Sequence, residues 1–222
     1  MSEHVKRPDG TRRAYSSTIR AEQAAQTRAR IVDAAGDLFT SRGYGRTTIK
    51  AIAESAGVAP DTVYTVFGSK VRVLTAVLDA RLSPAGVNVM DRPEEQSVRD
   101  DPDQRSQIEN FARDIAALST RTRPIYEVLR TAGAVEAEAG EVLREMEGHR
   151  LLAMGRLADW LAANGPIRVP IERARAIVWT IASPDVARML CDVSGWSESD
   201  HAEWMADTLI STLLVDRVGR GC

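Results

Sequence analysis

The segment TIKAIAESAGVAPDTVYTVF, residues 48–67, constrains this chain more than any other stretch. Ile49, Ile52, Ala53 and Ala56 recur at i, i+3, i+4 and i+7, Gly57 supplies a turn, and Val63 and Val66 follow on a second short helix. Two such helices must cross closely, so the small Ala53 lets the backbones approach and Gly57 permits the left-handed turn conformation. Pro60 stands at a first helical position, where its locked φ and missing N–H do no harm, and Asp61 complements the positive helix start. The outward positions Thr62, Tyr64 and Thr65 are polar or aromatic, where an ordinary surface helix more often carries Glu and Lys. Such side chains suit bases and phosphates. The pattern is a helix-turn-helix, a unit whose second helix lies in the major groove of DNA.

Composition places limits on the rest. At 222 residues the chain can form one large domain, or a small and a medium one, with a proper buried core. No run of about eighteen apolar residues spans a membrane, and the basic N-terminus has no apolar signal core, so a cytoplasmic protein without membrane contact is expected. Cys191 and Cys222 are too few for a disulfide framework and lack partners at zinc spacing, so neither metal nor cofactor is expected. Cys191 reads as a small buried apolar residue. The formal net charge of −2 hides an asymmetry: residues 1–70 carry 11 Lys and Arg against 7 Asp and Glu, and the remainder 18 against 24. The positive half coincides with the helix-turn-helix, as attraction to phosphate requires, and the acidic half favours solubility.

The reading is all-α. Ile31, Ala34, Ala35, Leu38 and Phe39 predict a helix from Ser17 to Arg42, ended by Gly43, and Val73, Leu74, Val77 and Leu78 predict another over 69–80. Residues 17–82 thus form an N-terminal three-helix DNA-binding unit with a linking helix. Residues 1–16, with Lys6, Arg7, Arg12 and Arg13, read as a disordered basic arm. The Pro-, Asp- and Glu-rich 83–104 separates the halves, with a turn or two of helix over 93–100. Residues 83–222 form a second, wholly helical domain. Helices are predicted over 105–121, 124–134, 136–163, 171–182, 184–194 and 197–216, punctuated by Pro124, Pro184 and the Gly165–Pro166 pair. Apolar stripes at Ala174/Ile177/Val178/Ile181/Ala182, Val186/Met189/Leu190/Val193 and Leu209/Ile210/Leu213/Leu214 are core by default. They exceed what one subunit's own core is expected to cover, so a homodimer through 171–216 is expected.

The stretch IVDAAGDLFTSRGYGRTTIKAIAESAGVAPDTVYTVFGSK, residues 31–70, resembles the tetracycline-repressor (TetR) family of bacterial one-component regulators. The resemblance implies a homodimer that binds an operator through two recognition helices and releases it when a small effector enters the second domain. It places Thr47 and Thr48 at the start of the second helix as phosphate contacts, Thr62, Tyr64 and Thr65 on the recognition helix, and Lys70 near the DNA backbone. Two positions depart from the family pattern. Val66 stands where a histidine is common, and Ala59 stands where a serine often caps the recognition helix, a loss of about 1 kcal/mol unless Pro60 and Asp61 offset it.

An effector is expected among the helices of 105–194. Met146, His149 and Trp160 share one face of a long helix beside Arg150, and Phe111, Tyr126, Trp179 and Met189 are further candidates. His149 and Arg150 read more readily still as the edge of a buried face. No nucleophile and base stand at a recognisable spacing and no glycine-rich phosphate loop occurs, so an enzyme is not expected. The function expected is a ligand-released repressor; the alternative is a constitutive or architectural DNA-binding dimer with no effector.

Overall fold

A computed structural model describes residues 10–83 and 93–215, with side chains from residue 20 and, after the gap, from residue 95. It divides into two compact units, residues 1–74 and 75–222. The division falls inside α4 (Lys70–Leu82), a continuous helix, and not after it as an 82/83 boundary supposes.

In the first unit, α1 (Gly10–Arg46), α2 (Ile49–Ala56) and α3 (Pro60–Phe67) pack in sequence. Helix α1 breaks at Gly43, whose φ of 74° and ψ of 173° are outside the helical region, as the sequence predicts. It begins at Gly10, seven residues before the predicted start, so Arg12 and Arg13 belong to a helix and not to a disordered arm. The stretch RRAYSSTIRAEQAA holds no Gly or Pro to stop propagation toward the N-terminus. Lys6 and Arg7 lie outside the described residues. The core gathers Ile31, Ala35, Phe39, Ile52, Ala53 and Val63, each no more than 1% exposed. Phe39 and Tyr44 stack at 5.9 Å.

In the second unit, α5 (Pro93–Asp100) supplies the short helix expected in the acidic stretch. Then follow α6 (Gln104–Gly133), α7 (Ala137–Asn164), α8 (Ile171–Ile181), α9 (Pro184–Ala187), a π-helical segment (Arg188–Val193) and α10 (Glu198–Leu213). Helix α6 packs against α5, α7 and α10, and α7 against α8. The predicted break at Pro124 does not occur. An internal proline costs about 3 kcal/mol. Ile125 and Leu129, both fully buried just beyond it, each return roughly 1.5–3 kcal/mol, so burial outweighs the lost backbone bond. Among the described residues the only extended pairing is a single bridge between Ile167 and Leu214.

The three terminal stripes part company. Ala174, Val178, Leu209 and Leu213 are fully buried in the unit's own core. One subunit therefore covers more of these stripes than the sequence reading allows. The middle stripe is left out: Met189 is 49% and Val193 71% exposed. Cys191, on the same π-helical segment, is half-buried rather than buried.

Candidate nucleic-acid interface

Local chemistry sets the two short helices. Thr48, in extended conformation, caps α2 by accepting the Ala51 N–H at 3.1 Å. Gly57 ends α2 at φ 66° and ψ 41°, a left-handed conformation that glycine adopts without a Cβ clash, and Val58 N–H donates to the Ala53 carbonyl at 2.9 Å. Ala59 offers no side-chain cap to α3, as its sequence position implies. Pro60 begins α3 and Asp61 lies in its first turn.

This arrangement buries Val63 and Phe67 and turns the other face outward. Tyr64 is 54% exposed; Pro60, Asp61 and Thr65 are exposed and Thr62 is half-buried. The Thr65 hydroxyl donates to the Asp61 carbonyl at 2.7 Å. Val66 also belongs to this outward surface, 36% exposed, whereas the sequence reading groups it with Val63. The i, i+4 pair Val63 and Phe67 carries the buried face, and Val66 is turned about 60° from Val63 on the side away from Phe67. Thr48 and Lys50 are exposed at the start of α2, and Lys50 is a cation that the sequence reading does not select. It is legible as a basic residue two positions after the Thr48 cap.

Two expected contacts change character. Thr47 is wholly buried, and its hydroxyl donates toward the carbonyls of Leu38 at 3.1 Å and Gly43 at 2.9 Å. It is not a phosphate contact: it ties the start of α2 to the end of α1, because its one proton is used inside the fold. Lys70 is half-buried, with Nζ donating to the Tyr44 carbonyl at 3.2 Å and lying 3.8 Å from the centre of the Tyr44 ring. Its charge is anchored on the first unit, with ammonium donors still available beyond that bond. Arg28 covers the Phe67 ring similarly, at 4.5 Å.

The effector candidates separate into two groups. A cavity of about 200 Å³ lies between α5, α6 and α7. Phe111 and Trp160 line it with Val98, Leu118 and Met154, and Glu95, Asp114 and Arg121 add charge to the wall. Tyr126, Arg150 and Trp179 meet elsewhere. The Tyr126 hydroxyl donates to Glu147 at 3.1 Å, and burial, then the Glu147 charge, pushes its pKa up to about 12. The Arg150 guanidinium lies 4.8 Å from the Trp179 ring centre and donates to the Trp179 carbonyl at 3.0 Å. Burial lowers its pKa. Arg150 Nε and Trp179 Nε1 are buried without an acceptor among the described residues. Met146 is half-buried outside the cavity lining, while His149 and Met189 are exposed, so these three are not gathered into it.

The first unit thus presents an exposed aromatic and threonine surface on the second helix of a helix-turn-helix, and the described residues of the second unit are almost wholly helical. Residues 31–77 match the profile of the bacterial regulatory proteins of the tetR family. The HTH-type transcriptional regulator TtgR of Pseudomonas putida is 44% identical over 59 residues, 27% of this chain and 28% of that protein. The chain spans between about a quarter and a half of the length of the curated relatives it matches. Two solved structures share the fold along nearly their whole length. NalD, the secondary repressor of the MexAB-OprM multidrug efflux pump in Pseudomonas aeruginosa, aligns with a TM-score of 0.65 at 20% identity, over 88% of this chain and 99% of that one. FadR from Bacillus subtilis, in complex with stearoyl-CoA, aligns with a TM-score of 0.61 at 17% identity, over 82% and 97%. Residues 31–77 thus carry the N-terminal region that defines that family, and the chain shares the fold of these two solved structures. The relatives named are regulators and not enzymes. Among the described residues no helix is long and apolar enough to cross a membrane.

Proposed function

We propose that this chain is a homodimeric transcriptional repressor in the cytoplasm, which holds a pseudo-palindromic DNA operator and releases it when a small molecule occupies the second unit. The observation that carries the reading is the outward face of α3: an exposed Tyr64, with Thr65 and Val66 beside it, on a helix anchored from behind by Val63 and Phe67. Thr48 and Lys50 flank it as phosphate partners, since a hydroxyl and an ammonium can both donate to phosphate oxygens. One short helix reads few bases, so two copies related by a two-fold axis, about 34–36 Å apart on the DNA, supply the rest. The uncovered Met189 and Val193, with the half-buried Val186 and Leu190 beside them, are the apolar surface a second copy would cover.

The cavity between α5, α6 and α7 is the effector site in this reading, with Phe111 and Trp160 as its aromatic walls. Its volume of about 200 Å³ is below the roughly 300–1,000 Å³ of drug-sized pockets. A ligand filling it as it stands is small, and one as large as the stearoyl-CoA held by FadR would require the helices to part. The test is footprinting of DNA upstream of the protein's own gene and its neighbours, with and without compounds that raise its melting temperature. A protected palindrome that opens with such a compound is expected. Absence of any protected site refutes the reading, and protection that no stabilising compound relieves favours a constitutive binder.

A further inference from the structure

The outward surface of α3 is unusual in what it lacks. The helix sequence PDTVYTVF contains no Arg, Lys, Asn or Gln. Those are the side chains that pair bidentately with guanine, through Arg or Lys, and with adenine, through Asn or Gln. Asp61 offers only an acceptor, whose base partner is the cytosine amino group. The Thr65 proton is committed to the Asp61 carbonyl at 2.7 Å, which leaves that residue presenting a methyl group and an acceptor, but no donor. Val66 is 36% exposed and wholly apolar. Tyr64, 54% exposed, brings one hydroxyl on a large apolar ring.

Beyond the single hydroxyls of Thr62 and Tyr64, which do not pair bidentately with any base, what this surface offers a major groove is apolar contact with the C5-methyl group of thymine, the one apolar feature on its floor. We propose that α3 distinguishes its half-site chiefly by thymine methyl groups, packed against the Thr65 methyl, Val66 and the Tyr64 ring, rather than by hydrogen bonds to guanine or adenine. The inference rests on the operator-binding reading and names the base chemistry of that same surface. It makes the half-site rich in A·T pairs with thymines at fixed positions. Orientation and affinity come from phosphate contacts outside α3, which carry no sequence information.

The experiment begins with selection of bound duplexes from a random-sequence library by the full chain. Each thymine of the selected half-site is then replaced by deoxyuridine, which removes the methyl and keeps the pairing. At least two positions are expected to lose about fourfold in affinity each, the effect of burying one methyl group. Thr65→Val, which keeps the methyl and discards the hydroxyl, keeps the loss on uracil substitution at the position that Thr65→Ser makes indifferent. Thr65→Ser, which keeps the hydroxyl, weakens the thymine site about fourfold and abolishes the uracil effect at one position. Thr65 is exposed, so both variants fold; circular dichroism checks this. Indifference to uracil at every position overturns the inference, as does a uracil effect that is the same in Thr65→Val and Thr65→Ser. Either result leaves operator binding itself standing. Failure to enrich any sequence removes the operator-binding reading, and this inference with it.

Discussion

Thr47→Val is the sharpest probe of the division between structure and recognition in the first unit. Valine matches threonine in shape, so the change exchanges one buried hydroxyl for a methyl at a position of no solvent exposure. The lost interaction is the hydroxyl proton shared between the carbonyls of Leu38 and Gly43, at 3.1 and 2.9 Å. Losing such a bond costs about 0.5–1.5 kcal/mol, and leaving a buried acceptor unsatisfied raises the loss to as much as about 3 kcal/mol. The added methyl returns roughly 0.8 kcal/mol. The net expectation is about 1–2 kcal/mol of destabilisation. For a unit of some 70 residues each kcal/mol lowers Tm by about 4–8 °C. Because all four tryptophans, Trp160, Trp179, Trp196 and Trp204, lie in the second unit, fluorescence follows that unit and far-ultraviolet circular dichroism follows both. The variant should lose helical signal earlier in urea, and at a temperature where it is fully folded its affinity for operator DNA should match the parent. Unchanged stability with weakened DNA binding would refute the reasoning and return Thr47 to the phosphate contacts.

Other outcomes follow from the same geometry. Ala59→Ser places a hydroxyl at an extended N-cap position of φ −74° and ψ 148°, and should stabilise the first unit by about 0.5–1 kcal/mol in urea titration. Met189→Asp and Val193→Asp alter exposed residues, so circular dichroism should be unchanged while sedimentation shows monomers and operator affinity falls; a folded dimer would place the interface elsewhere. Leu213→Glu is unsuited to that purpose, since Leu213 is fully buried and a carboxylate there should unfold the second unit. His201 is buried, and neither ring nitrogen has a hydrogen-bond partner among the described residues; desolvation, and then the Arg123 charge, lower its pKa from the usual 6.5. Below that pH the unfolded chain binds the proton more readily than the folded one, so stability is full above pH 6.5 and falls as pH drops below it toward the lowered folded value. His201→Leu should flatten that decline in urea titrations across about pH 5–8, and an unaltered pH profile would show that another group controls it.

The local features of this protein are written in short spans of residues. Gly43 and Gly57 adopt positive φ where the helices must stop, Thr48 caps α2, and Pro60 opens α3, because each depends on the conformational freedom or hydrogen bonding of one or two neighbouring residues. The apolar spacing that predicts Ile31, Ile52 and Val63 inside is equally local, a matter of helical period. Packing between elements decided the rest. Thr47 and Thr48 are adjacent threonines, indistinguishable in sequence, yet the turn after α1 draws one hydroxyl into the fold and leaves the other at the surface. Val66 is apolar but faces outward because Val63 and Phe67 already occupy the buried stripe. Pro124 should end a helix by its own chemistry and does not, since the core beyond it binds the helix more strongly than the missing N–H weakens it. Phe111 and Trp160 meet in a cavity while Tyr126, Arg150 and Trp179 assemble apart from it, a separation set by which helices lie side by side. Sequence determines what each residue can do within one turn of its own helix; tertiary structure selects the partner, because a side chain has one proton or one face to give and only packing settles where it is used.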